Sequence, residues 1–194
     1  MDIFHGLSNE IPFGMNKTKV KSILTVHDII FIVLPHLYSF IDRNIYKFKL
    51  TNSLREATKI LAISNKTKKD LTNILNIDEE RIEVIYQSCN DLFKIRSTTE
   101  EIQLTKEKYK LPKDFILNVG TIEKRKNVLH LIKSIENIDI PLVIVGKKTD
   151  YYKEVKQYIN LKNLNKRIFF IDNISTKELV NIFQSAKIFV YPSI

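Results

Sequence analysis

The amino-acid sequence predicts an α/β fold in which short parallel strands alternate with helices. The second half of the chain shows the clearest pattern, because its short apolar runs are separated by segments with apolar residues at helical spacing. Such alternation is typical of parallel strands that are joined by crossover helices. The composition suits a globular protein, since 44% of the residues are hydrophobic and 27% are charged.

Apolar runs in the first half of the chain predict three strands and two helices. The strands are expected at residues 21–26, 59–63 and 81–86, and the helices at 38–57 and 67–75. Ser64 is the natural N-cap of the second helix, because its side chain can accept a hydrogen bond from the first turn. The run at residues 29–34 ends at Pro35 and is far too short to span a bilayer, so we expect a buried strand or loop there.

The second half predicts strands and helices in regular alternation. The strands are expected at residues 115–119, 142–145, 168–171 and 188–191, and the helices at 128–137, 151–161 and 176–185. Residues 87–114 are polar and carry no clear strand, although residues 106–109 suit a short helix. We therefore divide the chain into a first domain at residues 1–92, an interdomain crossing at 93–114 and a second domain at 115–194.

The segment FILNVGTIEKRKNV, residues 115–128, has the order of a phosphate-binding pocket. Its predicted strand ends at Gly120, where the backbone can turn sharply and a ligand can approach closely. Arg125 and Lys126 then supply positive charge, and a helix that starts near Asn127 offers unpaired N–H groups and the positive end of its dipole. The alternative is a solvated surface loop, since lysine is common throughout the chain.

Residues at the carboxyl ends of the predicted strands support the phosphate interpretation by their position. Gly120, Gly146, Asp172 and Tyr191 all lie at such ends. Ligands of parallel α/β sheets bind at that edge. Lys147 follows Gly146 and could reach a nucleotide or face water.

Histidines give the first half its candidate chemistry. His27 ends a predicted strand and precedes Asp28, so it could act on a substrate hydroxyl or orient a sugar; a hydrogen-bonded histidine at a domain edge is the alternative. His5 and Gly6 fall in a predicted loop that could lie beside the same site or simply form surface. No histidines and carboxylates have the spacing of a metal site, so we predict no protein-bound metal.

The charge and the cysteine content narrow the class of protein. The formal net charge of +9 suits nucleic acid, an anionic membrane surface or an anionic small substrate. The sequence has no aromatic RNA-binding motif, no zinc-finger spacing and no long basic helix, so we predict no nucleic-acid partner. The single cysteine, Cys89, suits a reducing cytoplasm. We keep a peripheral contact with the inner face of the membrane as an alternative.

Six motifs follow one another along the chain in an order that is informative as a set. They are TVHD (residues 25–28), AISNKTKKDL (62–71), VIYQSCNDLF (84–93), FILNVGTIEKRKN (115–127), PLVIVGK (141–147) and FVYPS (189–193). Together they resemble the group 1 glycosyltransferases of GT-B fold, the retaining type that includes many bacterial mannosyltransferases. The resemblance runs nearly end to end and implies two facing Rossmann-like domains, the first for the acceptor and the second for a nucleotide sugar.

The resemblance also implies roles for particular residues. Gly120, Arg125 and Lys126 match the residues that hold the diphosphate of the donor, and His27 matches the catalytic histidine that contacts the transferred sugar. Further donor or acceptor contacts are expected from residues on neighbouring loops: His5, Gly6, Ser64, Thr121, Gly146, Lys147, Asp172 and Asn173. Many members of the family have an arginine directly after the glycine, where this chain has Thr121, so one cationic contact is absent or supplied elsewhere.

The implied reaction is transfer of a hexose, with mannose favoured, from a nucleotide sugar to a glycan or lipid-linked acceptor with retention of configuration. GDP-mannose is the favoured donor, and neither a cofactor nor a metal is needed. The family pattern continues after FVYPS into an acidic stretch with two glutamates and includes a glycine-rich loop before the first residues of this chain. We therefore expect both domains to be incomplete and these 194 residues to be inactive as a fragment. The alternative is a non-catalytic remnant or regulatory subunit that binds nucleotide or a partner chain.

Overall fold

The computed structural model describes residues 2–194, which form two compact units that divide between Ser88 and Cys89. Each unit contains a four-stranded sheet in which all paired strands run parallel. The α/β fold that the sequence predicts is therefore confirmed. In this described part of the chain, no helix is both long and apolar enough to cross a membrane.

The first unit packs its helices on a sheet with buried apolar residues. Its strands are β1 Ile3–Gly6, β2 Lys21–Val26, β3 Lys59–Ala62 and β4 Ile82–Val84, and its helices are α1 Ile30–Val33, α2 Phe40–Glu56 and α3 Asn65–Leu75. The strands lie in the order β1-β2-β3-β4. The buried side chains that join sheet and helices include Leu24, Ile60, Leu50 and Leu71. Burial of such side chains is the main favourable contribution to the stability of this unit.

Two segments of the first unit differ from the sequence prediction. Residues 3–6, for which the sequence predicts a loop, pair with β2 as an edge strand; four residues of mixed polarity are too few for alternation to reveal a strand. The run for which the sequence predicts a strand or loop contains the short helix α1 instead. The carboxylate of Asp28 accepts a hydrogen bond from the N–H of Ile30 at 3.1 Å, and Pro35 follows the helix closely.

The second unit has helices on both faces of its sheet. Its strands are β5 Ile116–Val119, β6 Leu142–Val145, β7 Ile168–Ile171 and β8 Ile188–Phe189, and its helices are α4 Thr99–Lys108, α5 Val128–Ser134, α6 Tyr151–Leu161 and α7 Thr176–Ser185. The strand order is β7-β6-β5-β8. Ile116 packs with Val155 of α6 on one face, and Leu117 packs with Ile182 of α7 on the other, because successive strand residues point to opposite sides. The predicted helix at 128–137 is shorter, since α5 gives way to tight turns after Ser134.

Residues 93–114, interpreted from the sequence as a crossing, contribute α4 to the second unit. This helix begins with a capping box and packs along α7 through polar contacts. The side chain of Asn181 donates to the hydroxyl of Thr105 at 2.8 Å, and the ammonium of Lys108 pairs with Glu178 at 2.5 Å. The sequence reveals only part of this helix because its contacts are polar. The domain limits of the whole protein stay a prediction.

Candidate functional site

Backbone hydrogen bonds align the loops at the carboxyl end of the second sheet. The loops follow β5, β6 and β7. The N–H of Gly120 donates to the carbonyl of Val145, and the N–H of Gly146 donates to the carbonyl of Ile171, both at 2.9 Å. The parallel pairing therefore continues one residue beyond the ends of β5 and β6. The two glycines lie next to each other, where ligands of parallel sheets bind.

Close approach of the two loops requires glycine at position 146. A Cβ atom on Gly146 would lie 2.0 Å from the carbonyl oxygen of Gly120, closer than any ordinary contact. Gly120 itself has a φ of 152°, a conformation that favours glycine. The following loop turns tightly, because the carbonyl of Thr121 accepts a hydrogen bond from the N–H of Glu123 at 3.0 Å. Gly146 thus lets the two loops pack against each other, and a Cβ on Gly120 would lie between 3.7 and 3.8 Å from Tyr191 and Lys126.

The basic pair lies in one 3₁₀ turn between β5 and α5. Arg125 forms an ion pair with Glu123 at 3.0 Å and is about one quarter exposed. The ammonium of Lys126 contacts the hydroxyl of Tyr191 and lies 4.7 Å from the centre of its ring. Methylene carbons of Lys126 lie 3.8 Å from the position that a Cβ on Gly120 would occupy. The structure therefore places Lys126 next to Gly120, with Arg125 in the same turn, and gives both cations partners within their own unit.

The segment after β8 makes hydrogen bonds to the turn that carries Arg125 and Lys126, here called the basic turn. The hydroxyl of Ser193 and the N–H of Ile194 donate to the carbonyl of Arg125 at 3.2 and 3.0 Å. Within β5, the side chain of Asn118 donates to the carbonyl of Val190 at 2.9 Å. These hydrogen bonds were not predicted from the sequence. A signal existed at Asn118, because an asparagine within a buried apolar strand needs a hydrogen-bond partner.

Four further predicted residues line one open cavity beyond β6 and β7. They are Gly146, Lys147, Asp172 and Asn173, and the cavity has a volume of about 590 Å³. Lys147 is exposed. Lys148, the next residue, forms an ion pair with Asp172 at 3.3 Å and lies 5.3 Å from the centre of the Tyr152 ring.

His27 lies directly after β2, where the sequence predicts it, and hydrogen bonds fix it in place. Its N–H donates to the side-chain oxygen of Asn9 at 2.9 Å, and its ring Nε2 lies 2.8 Å from the carbonyl oxygen of Leu7. Because a carbonyl oxygen can only accept, Nε2 carries the proton in this hydrogen bond. In the neutral ring, Nδ1 is then the nitrogen with a free lone pair.

Ser64 caps α3, as the sequence predicts, and is linked to His27 through Thr67. The hydroxyl of Ser64 accepts from the N–H of Thr67 at 3.1 Å. The buried hydroxyl of Thr67 donates to the carbonyl of His27 at 3.0 Å, so the hydroxyl of Ser64 donates to Thr67 Oγ1 over their 3.0 Å separation. Both hydrogen bonds of the Ser64 hydroxyl, one accepted and one donated, are therefore made with Thr67. Thr67 was missed, because its spacing in the helix says nothing of its contact with the neighbouring strand.

His5 and Gly6 lie in β1 rather than in a loop. His5 is exposed, and its Nε2 lies 2.8 Å from the hydroxyl oxygen of Thr25 on β2. Gly6 is buried, and a Cβ there would lie 2.3 Å from the carbonyl oxygen of Glu10. Both residues therefore shape the edge strand and the turn after it. Their roles as ligand contacts stay predictions.

The two units offer different chemistry at the carboxyl ends of their sheets. The first presents an imidazole that the backbone holds in place. The second presents two cations and glycine backbone, a combination that suits an anionic ligand. Among residues 2–194, no group of three or more histidine, cysteine, aspartate or glutamate side chains is arranged to hold a metal ion.

Two family models together match nearly the whole chain. The model of the glycosyl transferases of group 1 matches residues 99–194. The model of glycosyltransferase family 4 matches residues 2–90. The boundary between the matches falls close to the division between the two units.

Curated relatives and solved structures agree with these matches. The chain is 31% identical over 188 residues to the O-antigen chain mannosyltransferase RfbU of Salmonella typhimurium. The aligned residues cover 95% of this chain and 47% of the relative. It is 26% identical to the O-antigen chain mannosyltransferase B of Escherichia coli, covering 98% of this chain and 51% of the relative. The chain thus spans about half the length of the curated relatives it matches.

Similar folds occur among solved structures. Anabaena Alr3699/HepE, determined in complex with UDP, superposes with a TM-score of 0.76 at 16% identity, over 99% of this chain and 53% of that one. A glycosyltransferase from Rickettsia africae gives a TM-score of 0.74 at 22% identity, over 100% of this chain and 52% of that one. At such low identity these likenesses establish the fold.

Proposed function

This chain belongs to the group 1 glycosyltransferases of GT-B fold, and from that premise we propose that the protein transfers a hexose from a nucleotide sugar to a glycan or lipid-linked acceptor with retention of configuration. Mannose is the favoured hexose and GDP-mannose the favoured donor, which the two O-antigen mannosyltransferases among its relatives support. The proposed place of action is the cytoplasm, including the inner face of the membrane, where a lipid-linked acceptor would be presented.

The basic turn after β5 carries the proposal. Lys126 lies beside Gly120 at the carboxyl end of a parallel sheet, and Arg125 precedes it in the same turn. The diphosphate of a nucleotide sugar is the leaving group, so negative charge grows on it as the bond to the sugar breaks. Cationic donors that are already in position stabilise that charge without reorganisation. Arg125 exchanges its ion pair with Glu123 for the diphosphate in this proposal, and Lys126 exchanges its contact with Tyr191.

The proposed transfer step is balanced within donor and acceptor. The bond between C1 of the sugar and the diphosphate oxygen breaks, and the acceptor hydroxyl oxygen bonds to C1 on the same face. The hydroxyl proton passes to the departing diphosphate. His27 contacts the transferred sugar in this proposal. Because its Nε2–H is donated to the carbonyl of Leu7, Nδ1 is the atom that accepts from a sugar hydroxyl.

Substitution of the basic pair tests the proposal. Arg125→Ala and Lys126→Ala, made in the protein at its full natural length, should each weaken GDP-mannose binding by about 10- to 100-fold, the range expected for one hydrogen bond to a charged group. Lys124→Ala is the matched control, because Lys124 is an exposed lysine in the same turn. Calorimetry gives the affinity and product formation gives the rate.

The outcomes separate the alternatives. Unchanged affinity and turnover in both variants would remove the diphosphate role. An equal loss in Lys124→Ala would indicate a general effect of charge instead of a defined contact. Nucleotide-sugar binding without transfer to any acceptor would favour the non-catalytic nucleotide-binding alternative.

A further inference from the structure

Tyr191 follows β8 and reaches the basic turn, although the proposed transfer step gives this tyrosine no role. Its hydroxyl contacts the ammonium of Lys126. Its ring carbon Cε2 lies 3.7 Å from the position that a Cβ on Gly120 would occupy. The side chain is 50% exposed. The phenol therefore borders both Lys126 and Gly120, and part of it stays accessible to a ligand.

Backbone contacts fix the position from which Tyr191 extends. The N–H of Val190 donates to the carbonyl of Leu117 at 2.8 Å, and the side chain of Asn118 donates to the carbonyl of Val190 at 2.9 Å. On the other side, Pro192 restricts the backbone of Tyr191 to extended conformations. The path of the chain is thus set by the sheet before Tyr191 and by a proline after it.

Aromatic packing holds the ring of Tyr191. The ring centres of Phe189 and Tyr191 are 6.2 Å apart and their planes differ by 24°, so the two rings are stacked. The ring of Phe189 in turn lies 5.0 Å from that of Phe183 on α7, measured between centres. A side chain that is already held loses little conformational freedom when a ligand binds. The hydroxyl of Tyr191 is therefore a preorganised contact.

The hydroxyl of Tyr191 accepts a hydrogen bond from Lys126 and keeps its own proton for another partner. An ammonium group can only donate, so the phenol oxygen is the acceptor in this contact. A phenol also carries one O–H donor. Within the part of the chain that the structure describes, no protein group accepts a hydrogen bond from this O–H. One donor of Tyr191 is therefore left for water or for a ligand.

An incoming diphosphate changes the partners of this hydroxyl. In the proposed function, Lys126 gives up its contact with Tyr191 in order to bind the diphosphate. The phenol then lies beside the anion that Lys126 binds. Hydrogen bonds from O–H donors to ionised oxygens are short and about twice as strong as those between neutral groups. One diphosphate can therefore bind both the ammonium of Lys126 and the free O–H of Tyr191.

We propose that the hydroxyl of Tyr191 is a third donor to the diphosphate of the nucleotide sugar, beside Arg125 and Lys126. This inference rests on the proposed function and adds a neutral donor to its two cations. The same segment holds Arg125, since the hydroxyl of Ser193 donates to the carbonyl of Arg125 at 3.2 Å. The segment after β8 thus supplies one direct contact to the diphosphate and one support for the basic turn. A donor fixed in this way stabilises the charge that grows on the leaving group.

Tyr191→Phe in the protein at its full natural length tests this contact, because it removes the hydroxyl and keeps the packed ring. GDP, UDP and ADP are titrated by calorimetry, and the nucleotide that binds most tightly is used throughout. Its binding should weaken by about tenfold, the lower end of the range for one hydrogen bond to a charged group.

Tyr158→Phe is the matched control and should bind the nucleotide as the unsubstituted protein does. Tyr158 is a half-buried tyrosine of the same unit, and the ammonium of Lys133 lies 5.1 Å from the centre of its ring. Its hydroxyl contacts the carboxylate of Glu136, which follows α5, whereas the basic turn precedes that helix. An equal loss in Tyr158→Phe would overturn the inference, because the effect would not depend on the position of the hydroxyl.

The sign of the effect separates a ligand contact from a competing internal contact. Tighter binding by Tyr191→Phe would mean that the hydroxyl only holds Lys126 away from the ligand, and would overturn the inference. In the Lys126→Ala protein, Tyr191→Phe should still weaken binding, because a direct contact does not need the lysine. No further loss there would also overturn it, since Tyr191 would then act only through Lys126.

Comparison with the variants of the basic pair keeps this inference distinct from the proposed function. If Arg125→Ala and Lys126→Ala weaken binding and Tyr191→Phe does not, the role of Tyr191 is wrong and the diphosphate site stands. If all three variants bind as the unsubstituted protein does, or if none of the three nucleotides binds to it, both the inference and the proposed function are overturned.

Discussion

Gly146→Ala should strongly destabilise the second unit, although it adds only one methyl group. The new Cβ would lie 2.0 Å from the carbonyl oxygen of Gly120 and 2.6 Å from the carbonyl carbon, and both are backbone atoms that cannot rotate away. The strand-end loop must therefore move by about 1 Å, against the hydrogen bond from Gly120 to Val145. Overpacking of this kind costs about 2 to 3 kcal/mol of unfolding free energy.

Calorimetry and hydrogen exchange measure this effect. The melting temperature of the second unit should fall by about 10 °C or more, since about 1 kcal/mol shifts a domain of this size by several degrees. Hydrogen exchange read on peptides of each unit separates the two transitions. Nucleotide-sugar binding should weaken as well, because the displaced loop leads to Arg125.

Gly14→Ala provides the matched control for the glycine substitution. Gly14 has a φ of 82° and no heavy atom within 4 Å of the added Cβ, so its change adds backbone strain of about 1 kcal/mol without a clash. Gly14 belongs to the first unit, so each variant is read on its own unit. The argument from the close approach of the two loops is refuted if Gly146→Ala lowers the melting temperature of the second unit by less than a degree, or by no more than Gly14→Ala lowers that of the first unit.

Two further predictions concern individual hydrogen bonds. Thr67→Val should lower the unfolding free energy of the first unit by about 1 to 2 kcal/mol, because the carbonyl of His27 loses its donor and the O–H of Ser64 loses its acceptor. Thr67→Ser should restore most of this loss, and chemical denaturation followed by circular dichroism measures both variants. Hydrogen bonds from Lys108 and from the N–H and hydroxyl of Ser175 lower the pKa of Glu178 to about 2 from 4.5, so the contribution of this carboxylate to stability is complete above about pH 4.5 and is lost as the pH falls toward 2. Glu178→Gln should flatten the acid side of the stability profile of the second unit, and an unchanged profile would contradict the role of this carboxylate.

The sequence predicts the two central strands of the second sheet, β5 and β6, closely because they are buried on both faces, whereas the exposed edge strand β8 is two residues shorter than predicted. Residues 116–119 and 142–145 are almost entirely apolar, so their extent is plain from the letters alone. The glycines at positions 120 and 146 could also be predicted, since both follow such strands. Strand ends and loop glycines are local features, and local features can be identified in a single chain.

Long-range side-chain partners could not be predicted in the same way. Tyr191 meets Lys126 across 65 positions of sequence, and that contact depends on where β8 joins the sheet. The ring contact between Phe31 and Tyr46 was missed for the same reason, because it forms only when α1 packs on α2. Helical spacing indicates a helix, but it does not tell which neighbour the helix packs on.

The packing of α4 along α7 decides where the gene can be divided for expression. A recombinant fragment that starts at codon 115 would lack α4, and would expose Asn181, which is 4% exposed in the intact unit. A fragment that starts at codon 89 would keep both the helix and its contacts, because the second unit begins at Cys89. The longer fragment is therefore the one to purify and to crystallise with nucleotide, and proteases should cut the shorter one much faster.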